Sequence, residues 1–175
     1  MDGVVLSVCT ALWLAVLAYM DCRYRRLPNA LTLSGALVAL AWRFGGGGVA
    51  AGMDGVWGGV VCGLFLLLPF VLHAAGGGDV KMLFAVGCAA GLGRAAEVVL
   101  FTSLAGLLIM PVMLLVGRAD PSRLRHWARS LFDWRYDRAA GAAALPPKSD
   151  EKCRVPFGVA IALGAYAAML YGFCR

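Results

Sequence analysis

The stretch HAAGGGDVKM, residues 73–82, sets an aspartate, Asp79, directly after three glycines and between apolar runs long enough to cross a membrane. The flanking runs decide the fold class, because only helices and closed barrels span a bilayer and runs of this length are typical of helices. An ionisable residue at a membrane boundary is a functional candidate by default. The position of Asp79 therefore raises the question of which function its carboxylate has.

The composition is that of an integral membrane protein. Of 175 residues, 61% are hydrophobic and the mean hydropathy is +0.78, whereas soluble domains are roughly half apolar. A spanning helix needs about 20 apolar residues, so one helical bundle uses most of the chain. We expect a single all-α, polytopic membrane domain over residues 1–175.

Six apolar runs, separated by charges, glycines or prolines, predict six transmembrane helices. The runs lie at about 4–20, 28–44, 56–75, 80–93, 95–116 and 155–173. The fourth is short, and Gly91-Leu92-Gly93-Arg94 interrupts the apolar run before the fifth. The N-terminus lacks the features of a cleavable signal, so the first helix is expected to be retained.

The Lys and Arg residues fall unevenly on the two sides of these spans. Thirteen lie in the 21–27 turn, at Lys81 or in the 117–154 loop, and three lie on the opposite side. Basic residues concentrate in cytoplasmic loops, so we predict an inner-membrane protein with the first side in the cytoplasm and both termini outside. The net charge of +6 is then explained by contact with anionic lipid alone. We expect no nucleic-acid partner.

The 117–154 loop is the only sizeable polar segment. Trp127, Leu131 and Trp134 recur there at helical spacing between arginines, which predicts an amphipathic helix on the cytoplasmic leaflet. A docking surface for a protein partner is the alternative. The six cysteines are scattered without a C-x-x-C pair, so we expect neither a metal site nor a disulfide framework, and the sequence indicates no cofactor.

Asp21 closes the first span and Asp79 opens the fourth, so the topology places both at the cytoplasmic end. Each alone has a structural explanation: Asp21 caps a helix or pairs with a nearby arginine, and Asp79 is the N-cap of the fourth helix. Together they favour catalysis, because two close carboxylates resist double ionisation and share a proton. One then acts as a base toward water and the other as an acid toward a leaving amine.

The glycines before Asp79 fit the same hypothesis. Gly76, Gly77 and Gly78 have no side chains, so they allow close approach of backbone or substrate and admit dihedral angles closed to other residues. A plain flexible turn is the structural alternative.

Three motifs carry a family resemblance. GGGD at 76–79 fits the G-x-G-D signature of intramembrane aspartyl proteases, and GGGDVKM resembles the second active-site motif of type IV prepilin peptidases. DCRYRRLPNALT, residues 21–32, resembles the first motif of that family, and VPFGVAIALGA, residues 155–165, resembles the opening of its last helix.

The resemblance implies a membrane aspartic endopeptidase that removes the leader peptide of prepilin-like substrates at the cytoplasmic face, without a cofactor. Asp21 and Asp79 would be its catalytic pair. Residues that would bind substrate or shape the site are Gly76, Gly77, Gly78, Lys81, Pro28, Asn29, Pro156, Phe157 and Gly158. Pro28 and Pro156 also suit the first turn of a helix for structural reasons alone, and Lys81 is expected to meet lipid phosphate rather than to orient Asp79.

Larger members of that family carry an N-terminal cytoplasmic segment with paired cysteines, associated with methylation of the processed pilin. This chain begins in its first span and resembles the short, peptidase-only branch of tight-adherence (Flp-type) pilus systems, so methyltransferase activity is not expected. Two alternatives remain: a small ion- or proton-coupled transporter that uses the same acidic pair, and a structural membrane subunit.

Overall fold

A computed structural model describes residues 2–24, 27–71, 75–116 and 157–174. Within these ranges all regular structure is helical, as predicted. The helices are α1 Asp2–Tyr24, α2 Asn29–Val71, α3 Gly77–Ala90, α4 Leu92–Leu115 and α5 Phe157–Cys174. The predicted amphipathic helix at 117–154 and Pro156 lie outside the described residues.

The chain forms two compact units. The first comprises residues 1–107 and 156–175, and the second comprises residues 108–155. Of the second unit, the structure describes residues 108–116, which include the end of α4. The contacts that form the core and the candidate site lie within the first unit. A single domain over the whole chain stays a prediction.

Helix α3 lies in the core of the first unit, where it packs against α1, α2 and α5. Fully buried side chains from three of these helices meet there: Leu14, Leu17, Met82, Leu83 and Ile161. The outward face of α1 is apolar as well, since Val8, Leu12, Val16 and Tyr19 are each half exposed or more. A continuous exposed apolar stripe of this kind is typical of a lipid-facing surface.

Four of the described helices, α1, α2, α4 and α5, are long and apolar enough to cross a membrane. The predicted count of six spans is therefore not confirmed. Helix α3 occupies most of the predicted fourth span, but its 14 residues extend only about 21 Å at 1.5 Å per residue. This is less than the roughly 30 Å of a hydrocarbon core. Gly91 separates α3 from α4 with φ +84°, so the predicted interruption after the fourth span is confirmed.

The predicted second and third spans are combined in α2, which bends at Gly48. The backbone of Gly48 has φ 69° and ψ −167°, a conformation essentially restricted to glycine. Before the bend, α2 runs parallel to α3, with Asn29 beside Lys81 and Arg43 beside Ala89. After it, α2 runs in the opposite direction along α3.

The antiparallel course of the second half of α2 follows from its contacts. Gly58 lies against Gly87 and Gly91 near the end of α3, whereas Phe70 lies against Gly77 at the start of α3. Two hydrogen bonds from Arg43, to the carbonyl of Ala51 (2.9 Å) and to that of Ala89 (3.1 Å), hold the bend against α3. An ion pair between Arg43 and Asp54 closes the same cluster.

Candidate active site

Asp21 lies in the last turn of α1 and is buried, with 6% of its surface exposed. Its Oδ2 accepts a hydrogen bond of 2.8 Å from the backbone N–H of Gly158, in the first turn of α5. The first N–H groups of a helix have no partner within the helix. Asp21 therefore caps α5 from a position 137 residues away in the sequence, which is the capping role that sequence analysis offered as the structural alternative.

Asp79 lies in the first turn of α3 and is partly buried. Its Oδ2 accepts a hydrogen bond of 3.1 Å from the N–H of Gly76, the N-cap residue of this helix. The prediction that Asp79 is the N-cap is thus wrong, because the N-cap is Gly76, three residues earlier. The carboxylate of Asp79 nevertheless accepts a hydrogen bond at the start of α3. Both aspartates sit where a helix N-terminus stabilises negative charge.

Contacts between the starts of α2 and α3 bring the two aspartate-bearing segments to the same end of the unit. Lys81 Nζ donates a hydrogen bond of 2.9 Å to Asn29 Oδ1. A Cβ at Gly78 would lie 3.0 Å from Leu27 Cβ, so the backbone of α3 approaches this short connection closely. Since the connection follows α1, and α1 also packs directly against α3, the end carrying Asp21 and the end carrying Asp79 coincide.

The glycines of the GGGD motif act through size rather than through unusual backbone angles. Gly76 has φ −84° and ψ 146°, an extended conformation open to other residues, and Gly77 and Gly78 are helical. The conformational freedom that glycine admits is therefore not used at these three positions. Their small size is used instead, because a Cβ at Gly77 would lie 3.3 Å from the ring of Phe70.

Of the remaining predicted site residues, some lie at the same end of the unit as the two aspartates and others contribute to packing between helices. The carbonyl of Pro28 accepts hydrogen bonds from the N–H groups of Leu31 and Thr32, so Pro28 directly precedes α2 and accepts the first hydrogen bonds of this helix. Asn29 Oδ1 accepts a hydrogen bond from Lys81, and the expected contact between Lys81 and lipid phosphate stays a prediction. The ring of Phe157 lies against Gly106 of α4, so Phe157 packs the start of α5 onto its neighbour.

Sequence reasoning missed two hydrogen bonds that position α1. Trp13 Nε1 donates to the carbonyl of Leu31 at 2.9 Å, which ties α1 to the start of α2. Tyr166 Oη donates to the carbonyl of Ala11 at 2.6 Å, which ties α5 to α1. The sequence indicates such bonds only in general terms, because a Trp or Tyr within an apolar span needs a polar partner for its N–H or O–H group.

The described residues contain no group of three or more His, Cys, Asp or Glu side chains placed to hold a metal ion. What the fold and site define is a polytopic helical membrane protein with two aspartates gathered at one end of its core. The family model of the type IV leader peptidase family matches residues 8–111, a segment that includes both aspartates. The chain belongs to this family, which points to a peptidase.

Comparison with curated proteins and with solved structures found no match to the chain. The family match ends before α5, so it does not include the Pro-Phe-Gly motif. The interaction of Gly158 with Asp21 is accordingly an observation of this structure.

Proposed function

We propose that this protein is a membrane aspartic endopeptidase that removes the leader peptide of type IV prepilin-like substrates of the Flp type. The observation that carries the proposal is that the segments with Asp21 and Asp79 lie at the same end of the unit, within the part of the chain that matches the leader peptidase family. Peptide hydrolysis needs a base and an acid close together, and two carboxylates supply both.

In the proposed reaction, one carboxylate takes a proton from a water molecule whose oxygen attacks the carbonyl carbon of the scissile peptide. The protonated partner donates to the carbonyl oxygen. The C–N bond then breaks as the nitrogen receives a proton, leaving a carboxylic acid and an amine with one water consumed. The initial proton belongs to the pair of aspartates, because coupled sites titrate together.

The bias of thirteen basic residues to three supports a site facing the cytoplasm across the inner membrane. We further propose that the two halves of α2 cross the bilayer separately. Helix α3 would be the sixth crossing, and its length of about 21 Å would require local thinning of the bilayer. The halves comprise 19 and 23 residues on either side of Gly48, or about 28 and 34 Å, close to the roughly 30 Å of a hydrocarbon core. A prepilin anchored by its own apolar helix would present its boundary peptide bond to the aspartates.

The test is cleavage of a synthetic prepilin by the purified protein in lipid, with the cut mapped by mass spectrometry. Asp21→Asn and Asp79→Asn are expected to abolish cleavage while leaving membrane insertion and thermal stability close to those of the wild type. Asp54→Asn is the matched control. Asp54 pairs with Arg43 at the bend of α2, away from the proposed site, and asparagine retains an oxygen that accepts hydrogen bonds.

Cleavage by either Asp21→Asn or Asp79→Asn at the wild-type rate would contradict the two-aspartate mechanism. An intact prepilin after incubation with folded wild-type protein would contradict the substrate assignment. A proton or ion flux that depends on both aspartates, without any cleavage, would favour the transporter alternative.

A further inference from the structure

The contact between Asp21 and Gly158 joins a candidate catalytic group to a helix that begins far from it in the sequence. The amide hydrogen bond to Oδ2 is 2.8 Å long and buried. A Cβ at residue 158 would lie 2.7 Å from Oδ2 and 3.1 Å from Cγ of Asp21. Gly158 therefore donates its N–H group to Asp21, and the absence of a side chain at this position allows the close approach.

We infer that Gly158 is a positioning residue for Asp21, an inference that rests on the proposed function. The N–H group holds one oxygen of the carboxylate, and the missing side chain leaves the room that this orientation requires. The start of α5 therefore favours the orientation of the Asp21 carboxylate that is seen in the structure, which is the one presented to a substrate. Helix α5 is itself held on α1 by the hydrogen bond from Tyr166 to Ala11.

The size of the expected effect follows from the geometry. Ordinary van der Waals contact begins near 3.4 Å, so a methyl group at residue 158 requires Oδ2 to move by about 0.7 Å from its 2.7 Å position. Displacing a reacting group by about 1 Å costs on the order of 100-fold in rate. Gly158→Ala is expected to lower kcat between about 10- and 100-fold, with KM within roughly twofold because uniform substrate binding is unchanged.

The kinetic control is Gly63→Ala, which adds the same methyl group at another buried helix contact. Its Cβ would lie 3.3 Å from the side chain of Phe84, between α2 and α3. This variant is expected to keep kcat within about twofold of the wild type. The inference is overturned if Gly158→Ala retains kcat, if KM alone rises, or if Gly63→Ala loses as much activity at equal thermal stability.

A second measurement needs no peptidase activity. Hydrogen–deuterium exchange in the first turn of α5 is expected to be roughly 2- to 30-fold faster in Asp21→Ala, the range that loss of a helix cap produces. Asp21→Asn retains an acceptor and is expected to show a smaller increase. If the wild-type protein cleaves no prepilin, the proposed function fails. The exchange measurement still tests the contact between Asp21 and Gly158, and an unchanged exchange rate in Asp21→Ala would overturn that contact.

Discussion

The contact of Gly58 with the end of α3 provides a quantitative test of the packing. A Cβ at residue 58 would lie 2.5 Å from the carbonyl carbon of Gly91 and 2.6 Å from the oxygen of Gly87. These are backbone atoms, which cannot rotate away as a side chain does. Reaching the ordinary 3.4 Å contact requires α2 and α3 to separate by about 0.9 Å at this point.

Gly58→Ala is therefore expected to destabilise the protein. Overpacking of a tight interior costs about 1–3 kcal/mol, and the better helix propensity of alanine returns up to about 1 kcal/mol. With the full return, the net loss in the free energy of unfolding is about 0–2 kcal/mol relative to the wild type, and about 1–3 kcal/mol relative to a glycine-to-alanine change without overpacking. Reversible unfolding in mixed micelles measures this quantity.

Gly93→Ala is the matched control, because a Cβ at residue 93 would meet no atom within 4 Å. It is expected to be neutral or stabilising by up to about 1 kcal/mol. The reasoning about the α2–α3 contact is refuted if Gly58→Ala unfolds with the same free energy as Gly93→Ala.

Two further predictions concern the bend and the site end of the unit. Gly48→Ala is expected to lower the free energy of unfolding by roughly 1–3 kcal/mol through backbone strain, as measured by the same unfolding assay. Gly46→Ala, whose Cβ would meet no neighbour, should be neutral, and equal stability of the two variants would argue against the bend. A double-mutant cycle of Lys81→Met and Asn29→Ala is expected to give a coupling in the free energy of unfolding of about 1 kcal/mol or less, because the contact is exposed. A coupling well above this value would mean that the contact is far more shielded from water than the structure shows.

Local sequence patterns determined the all-α membrane class, the approximate helix positions, the interruption at Gly91 and the choice of Asp21 and Asp79 as the residues of interest. These features depend on hydropathy, glycine content and charge over short windows, which the order of residues contains directly. Membership of the type IV leader peptidase family was indicated by the same short motifs.

Tertiary structure alone decided which groups meet. The hydrogen bond from Gly158 to Asp21, the contact of Lys81 with Asn29 and the reversal of α2 along α3 each join segments whose proximity no local pattern encodes. The role of the GGGD glycines changed for the same reason: their backbone angles are ordinary, and the need for small residues arises from Leu27 and Phe70 on neighbouring segments. Such contacts depend on how distant helices pack, because a close approach is a property of two surfaces and a single stretch of sequence describes only one of them.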